Sequence, residues 1–262
     1  MVSPPAQVPC NTLWIGPALG PVERACMRSV LRHGHRLILW CYQQPEGVPQ
    51  GIELADAAEL LPETSIVRHR GGSPALFANR FRYELQRRGK GIWVDTDLYL
   101  LRPLPDRVPL MGLEDQDTIN NAVLHLAPDS PLLPPLLSLF EERQVPPWLP
   151  LRSRIREHVR RLRTGRVALG QMPWGVAGPR ALSALARRFG VFDQALPPEI
   201  LYPVHWTAAA WIFDPAQRLE SQITAKTVAV HLWNECIKDA KNRPPRPGSF
   251  LARLHAEAAE SA

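Results

Sequence analysis

No apolar run in this chain reaches the ~18 residues that a bilayer-crossing helix needs, and residues 1–9 have neither a basic start nor an apolar core. Neither a transmembrane helix nor a signal peptide is therefore expected, and the cytoplasm is the default compartment. Cysteine is scarce: Cys10, Cys26, Cys41 and Cys236 lie far apart without paired spacing, which argues against a zinc knuckle or a disulfide framework and for free, mostly buried thiols. Glycine-rich phosphate loops are missing, as there is neither a P-loop nor a Rossmann fingerprint, and no RNA-binding aromatic signature is present. No internal repeat appears.

What the chain does have is enough apolar material, 45% of 262 residues, to bury one full core, so a single α/β domain over residues 1–262 with helical additions is the economical expectation. A net charge of +6 and a pI near 9.5 favour an anionic partner: a nucleotide, a phosphorylated glycan, a membrane surface or nucleic acid.

Residues 11–16 read as a short strand stopped by Gly16-Pro17, residues 21–31 as a helix and residues 36–41 as a second buried strand. This β-α-β opening predicts a right-handed crossover and a parallel pair. Trp14 then lies at the carboxyl end of its strand, where such sheets meet ligands, or else in the core. Residues 43–70 offer one helical candidate, 55–61. Ser73-Pro74 starts the clearest helix, with Phe77, Phe81 and Leu85 as its core stripe and Gly89 as its stop. Asn79 and Arg82, three apart, share a neighbouring face. Arg82 is a candidate for phosphate or sugar hydroxyls, against an ordinary surface arginine.

That helix feeds Gly91-Ile92-Trp93-Val94-Asp95-Thr96-Asp97-Leu98-Tyr99-Leu100-Leu101, a buried strand that ends in two acids and resumes. The alternation of an extended chain would put Asp95 and Asp97 on one side, where the pair is either turn acids or a hard-cation site suited to Mg²⁺ or Mn²⁺ shared with nucleotide phosphates. A second Asp-x-Asp, Asp115-Gln116-Asp117, follows a strand candidate over 110–114 and precedes another over 120–126. Glu114, Asp115 and Asp117 are solvated loop acids or an acceptor-hydroxyl base. Residues 132–140 and 180–189 suggest helices, 201–206 a strand-like run, 227–232 the last strand, and 244–262 a linker and terminal helix. Residues 151–166 carry seven arginines around Ile155, Val159 and Leu162 at helical spacing. This is a solvated helix packed by a narrow stripe, or one lying on an anionic membrane. No basic and aromatic platform accompanies it, so nucleic acid is not an expected partner.

The run Ala78-Asn79-Arg80-Phe81-Arg82-Tyr83 followed by Gly91-Ile92-Trp93-Val94-Asp95-Thr96-Asp97 resembles the sugar-binding region of the DXD glycosyltransferases, the family-32-like enzymes with the α-1,4-galactosyl- and N-acetylglucosaminyltransferases. Leu13-Trp14-Ile15-Gly16 resembles their first strand and Ala229-Val230-His231-Leu232-Trp233-Asn234 their closing element. Asn120-Asn121, Gly178-Pro179 and Tyr202-Pro203 have counterparts as well. The chain departs from the pattern at Ala78 for Ser, Asn79 for Asp, Lys90 for the first of two glycines, and Trp93 for Tyr.

The resemblance implies a GT-A-type fold, a mixed, mainly parallel sheet flanked by helices, with residues 131–189 as a helical, acceptor-side insertion. It implies transfer of a hexose from a nucleotide diphosphate sugar, UDP-linked by first choice, to a glycan or glycolipid hydroxyl with retention. It further implies Mn²⁺ or Mg²⁺ on Asp95 and Asp97, completed by His231 or Asn234, and a donor held by Trp14, Asn79, Arg82, Trp93 and Asn121. The catalytic candidates are Asp95 and Asp97, with Asp115 and Asp117. A non-catalytic sugar-nucleotide or glycan binder on the same scaffold is the rival, motivated by Asn79 and Lys90, and a metal-dependent nuclease is a more distant one.

Overall fold

The computed structural model describes residues 8–69 and 72–260. All but the last two residues of the 1–9 reading lie outside these, as does Arg70 at the end of the 43–70 connection. Strand β1 (Cys10–Trp14), helix α1 (Pro21–Arg32) and strand β2 (Leu37–Cys41) make the expected parallel opening pair. Proline at the first helical position of α1 gives up an N–H that would have no helical partner there anyway. The helix expected over 55–61 is instead strand β3 (Glu53–Asp56), parallel to β2, and one 3₁₀ turn started by the Asp56 carboxylate on the Ala58 N–H. This edge strand is mostly exposed, so no apolar alternation marked it.

Helix α2 (Ala75–Arg87) buries Phe77, Phe81 and Leu85 as expected, and its entry is held by Ser73 Oγ accepting from the Ala75 N–H. It leads into β4 (Ile92–Val94), after which β5 (Leu98–Leu100), β6 (Leu110–Leu113) and β7 (Ile119–His125) follow. The main sheet has the order β3-β2-β1-β4-β7-β6. Its first four strands are mutually parallel and β7 and β6 join antiparallel, which bears out the mixed, mainly parallel sheet. The chain builds outward from β1 to β3 and then returns to lay β4 on the other side of β1. The β1/β4 boundary is therefore a topological switch point, where an open sheet leaves a crevice at its carboxyl edge.

Helices α3 (Leu133–Ser138), α4 (Leu151–Thr164) and α5 (Pro179–Arg188) are the helical additions. The strand-like run over 201–206 is no strand. Helix α6 (Pro198–Leu201) ends in it, Pro203 withholds a ladder donor, and 3₁₀ turns begin at Trp206. Strand β8 (Ala229–His231) pairs antiparallel with β5 in a separate two-stranded sheet. Helices α7 (Asn234–Ile237) and α8 (Phe250–Ala259) close the chain, the latter capped by Ser249 Oγ. No helix among the described residues is long and apolar enough to cross a membrane.

Both faces of β4 are covered, so its apolar run does not alternate with polar residues. Trp93 packs into one cluster with Trp40, Phe77, Phe81 and Leu124. Ile92 and Val94 point the other way, onto Met27, Val30 and Leu37. Gly91 enters the strand at φ +108°, and a Cβ there would lie 2.4 Å from the Pro9 carbonyl oxygen. Lys90 has no such conformation. Only the second glycine of the family's pair is thus demanded by this backbone.

Candidate metal and donor site

The two acids do not lie on one extended chain, as alternation predicted. After Val94 the backbone turns, with the Leu98 N–H donating to the Asp95 carbonyl, and passes from the main sheet into the β5/β8 sheet. The turn still brings the carboxylates together. Asp95, Asp97 and His231 each offer a ligand atom, and these lie within 4.8 Å of one another. β8 supplies the histidine because its pairing with β5 sets His231 opposite Leu98.

Each carboxylate is held on one oxygen. Asp95 Oδ1 accepts from the Trp93 indole N–H at 2.7 Å and lies 2.9 Å from the Arg82 guanidinium. Asp97 Oδ2 accepts from the Asn234 backbone N–H at 2.6 Å and lies 3.2 Å from His231 Nε2. The other oxygen of each accepts no hydrogen bond from the described residues. Burial raises Asp95, and the neighbouring Asp97 charge adds to it against the opposing Arg82. Burial also works against ionised Asp97, but His231 and the Asn234 N–H outweigh it and hold that carboxyl at about 2. His231 answers in kind: burial would lower its ring, yet Asp97 raises it. Two carboxylates with free oxygens beside an imidazole fit a divalent ion that accepts oxygen and nitrogen, Mn²⁺ more closely than Mg²⁺.

Asn234 reaches Asp97 through its backbone alone. Its side-chain oxygen accepts from Lys241 Nζ, which also pairs with the fully buried Glu23 of α1. Trp233, at φ +57° and with its indole N–H on the Val204 carbonyl at 2.8 Å, makes the bend that aims the Asn234 N–H. A bulky residue in that conformation is backbone strain of the kind found at functional sites.

The donor-side candidates divide. Trp14 sits half-buried at the carboxyl end of β1, beside the strand that ends in Asp95. Asn79 accepts from Asn121 Nδ2 at 2.9 Å, and the same amide reaches the Tyr83 hydroxyl. Gly178 leaves room for Asn79, whose Nδ2 would be 3.0 Å from a Cβ there. Arg82 is no surface residue. It is 5% exposed, bonded to the Asn121 carbonyl and Asp95, and stacked over Trp93 at 4.7 Å. Trp93 is 1% exposed, so its expected place against the donor is corrected: its indole is spent orienting Asp95.

The structure does not gather Asp115 and Asp117 with this cluster. Asp115 caps its own turn through the Asp117 N–H, and Asp117 pairs at the surface with Arg187. Glu114 lies inward of them, accepting from Asn120 Nδ2 at 2.6 Å. It is raised by burial and close enough for its charge to act on His231. Sequence reasoning missed Glu23 and Lys241. An acid beside Val22, Ala25 and Cys26 on the apolar face of a helix was the one available signal.

Residues 173–258 match the family model described as the alpha 1,4-glycosyltransferase conserved region, a span that includes His231, Asn234 and Lys241. Lactosylceramide 4-alpha-galactosyltransferase of Rattus norvegicus is 24% identical over 178 residues, 63% of this chain and 42% of the relative, and the Mus musculus protein of that name aligns equally. The chain thus spans less than half the length of the curated relatives it matches. A solved structure titled PaToxG Glycosyltransferase overlays at a TM-score of 0.44 with 12% identity, covering 71% of each chain. The family-model match and the two curated relatives bear out the resemblance carried by the three sequence motifs: the chain is similar to the family-32-like α-1,4-glycosyltransferases.

Proposed function

We propose that the chain transfers a hexose from a nucleotide diphosphate sugar, UDP-linked by first choice, to a hydroxyl of a glycan or glycolipid, with a divalent cation and with retention. The observation that carries this reading is the convergence of Asp95, Asp97 and His231 beside the switch point of a nucleotide-type sheet. Asp95, Asp97 and His231 would hold Mn²⁺ or Mg²⁺, whose charge would offset that growing on the departing diphosphate. Trp14 would stack on the base, with Asn79 and Asn121 toward the sugar. Arg82 acts through Asp95 in this reading, not on phosphate.

In a front-face course the bond from the anomeric carbon to phosphate oxygen breaks and the bond to the acceptor oxygen forms on the same face. The acceptor proton passes to the leaving phosphate, so no protein nucleophile is needed. Of the loop acids, we place Glu114 beside the acceptor, not Asp115 or Asp117. Residues 1–262 act as one catalytic unit, with residues 131–189 on the acceptor side. The free cysteines suit a reducing compartment, in keeping with the cytoplasmic face of an anionic membrane.

The test is a panel of nucleotide diphosphate sugars screened for nucleotide release. Release with one sugar, lost in EDTA and restored by Mn²⁺, is the expected result. Affinity without release would make the protein a binder on this scaffold, and cleavage of nucleic acid with indifference to the sugars would make it a nuclease. Nucleotide titration of Trp14→Ala should show binding weakened roughly five- to 150-fold, from ~1–3 kcal/mol of base stacking. Unchanged affinity in a folded variant would return Trp14 to the core.

A further inference from the structure

Helix α4 is built inside out. Its apolar residues Leu151, Ile155, Val159 and Leu162 are 68%, 55%, 41% and 86% exposed, while its one buried residue is an acid, Glu157, with no exposure. At 3.6 residues per turn the four apolar side chains share one stripe, and Glu157 lies roughly opposite them. The carboxylate is the helix's anchor: it accepts from the Ala168 N–H and from Arg156 Nε at 3.2 Å each, and Arg160 Nε stands 3.4 Å away. The stripe is therefore not the seam of an ordinary solvated helix, since it faces away from the protein.

Charge follows the same plan. Residues 151–166 hold seven arginines and a single acid, and that acid is turned inward. Arg152 and Arg163 flank the stripe on one side and Arg154 and Arg161 on the other, following the helical period. Arg152, Arg161 and Arg163 make no ion pair among the described residues. An apolar ridge about 17 Å long at 1.5 Å per residue, bordered by cations with long aliphatic stems, is the geometry of a helix lying in a membrane interface.

We infer that the outward face of α4 seats on an anionic lipid surface, its stripe entering the headgroup layer and its flanking arginines meeting lipid phosphates and carboxylates. A second copy is the poorer occupant. A two-fold contact would set α4 against α4 and bring the arginines together with no outward acid to answer them. The inference does not rest on glycosyl transfer and fails or stands separately from it.

The experiment is cosedimentation of the full chain with phosphatidylcholine vesicles, with and without phosphatidylserine, at low and high ionic strength. The variants are Ile155→Gln/Leu162→Gln and Arg152→Gln/Arg161→Gln/Arg163→Gln. Arg156 and Arg160 are left in place because they hold Glu157. Wild type is expected on the anionic vesicles at low salt, with binding falling as salt rises. The arginine variant should lose about five-fold per engaged residue, and the apolar variant should bind weakly at any salt. Both should keep the wild-type melting midpoint and the wild-type nucleotide release from a soluble donor. Equal wild-type binding to neutral and anionic vesicles, or wild-type binding by both variants, would overturn the inference. So would a dimer in sedimentation that the apolar variant abolishes while vesicles are ignored. Vesicle binding without any nucleotide release leaves this inference standing and removes the catalytic reading.

Discussion

Asp97→Asn is expected to cut metal-dependent nucleotide release roughly a hundred- to a thousand-fold, the range seen when one group that stabilises developing charge is removed. The substitution is chosen from the geometry. Asp97 Oδ2 already serves the Asn234 N–H and His231, and an asparagine oxygen in that place can go on accepting both. What asparagine loses is the negative charge and the second oxygen, to which no described donor is bonded. Asp97→Ala would strip both, leaving a buried N–H without a partner at about 1–3 kcal/mol, so its loss of activity would be mixed with loss of stability. Mn²⁺ affinity measured calorimetrically should fall together with turnover in Asp97→Asn while the melting midpoint moves little. Full activity in that variant, or in wild type freed of metal, would remove the cation from the reading.

The sequence disclosed the acid pair, the helix before it and the closing element because each is local. A strand that ends in acids, a capped amphipathic helix with Asn79 and Arg82 on one face, and His231 in a short apolar strand can all be read within a few residues. It did not disclose which way Trp93 points. Ile92, Trp93 and Val94 are all buried because the sheet is covered on both faces, so alternation carries no sign there. Nor could it show that β5 leaves the main sheet for β8, which depends on a pairing 133 residues apart, Leu98 with His231. The loop acids could not be told apart for a related reason. Glu114, Asp115 and Asp117 have the same composition, and only the hydrogen bond of Asn120 to Glu114 separates the inward acid from the two that cap and pair at the surface. The exposed stripe of α4 was legible as a period but not as a direction, since an apolar stripe ordinarily faces the core.

Lys241→Met is expected to cost about 3–5 kcal/mol of stability, the range for removing one partner of a buried pair and leaving the other charge behind. Glu23 has no exposed surface and Lys241 is 7% exposed. Among the described residues the Glu23 Oε2 atom has no hydrogen-bond partner, and Lys241, on Oε1, is the carboxylate's one charged neighbour within bonding distance. Because two buried ions often do no better than well-packed apolar groups, Glu23→Gln/Lys241→Met should recover most of the loss, and urea unfolding of the single and double variants measures both. The pair has a second consequence, since Lys241 also holds the Asn234 side chain whose backbone N–H donates to Asp97. The double variant should therefore regain stability without regaining full Mn²⁺ affinity. A double variant as unstable as the single would locate the cost in the Asn234 contact and not in the stranded carboxylate. Wild-type Mn²⁺ affinity in the double variant would show that the bend at Trp233 alone suffices to aim the Asn234 N–H at Asp97.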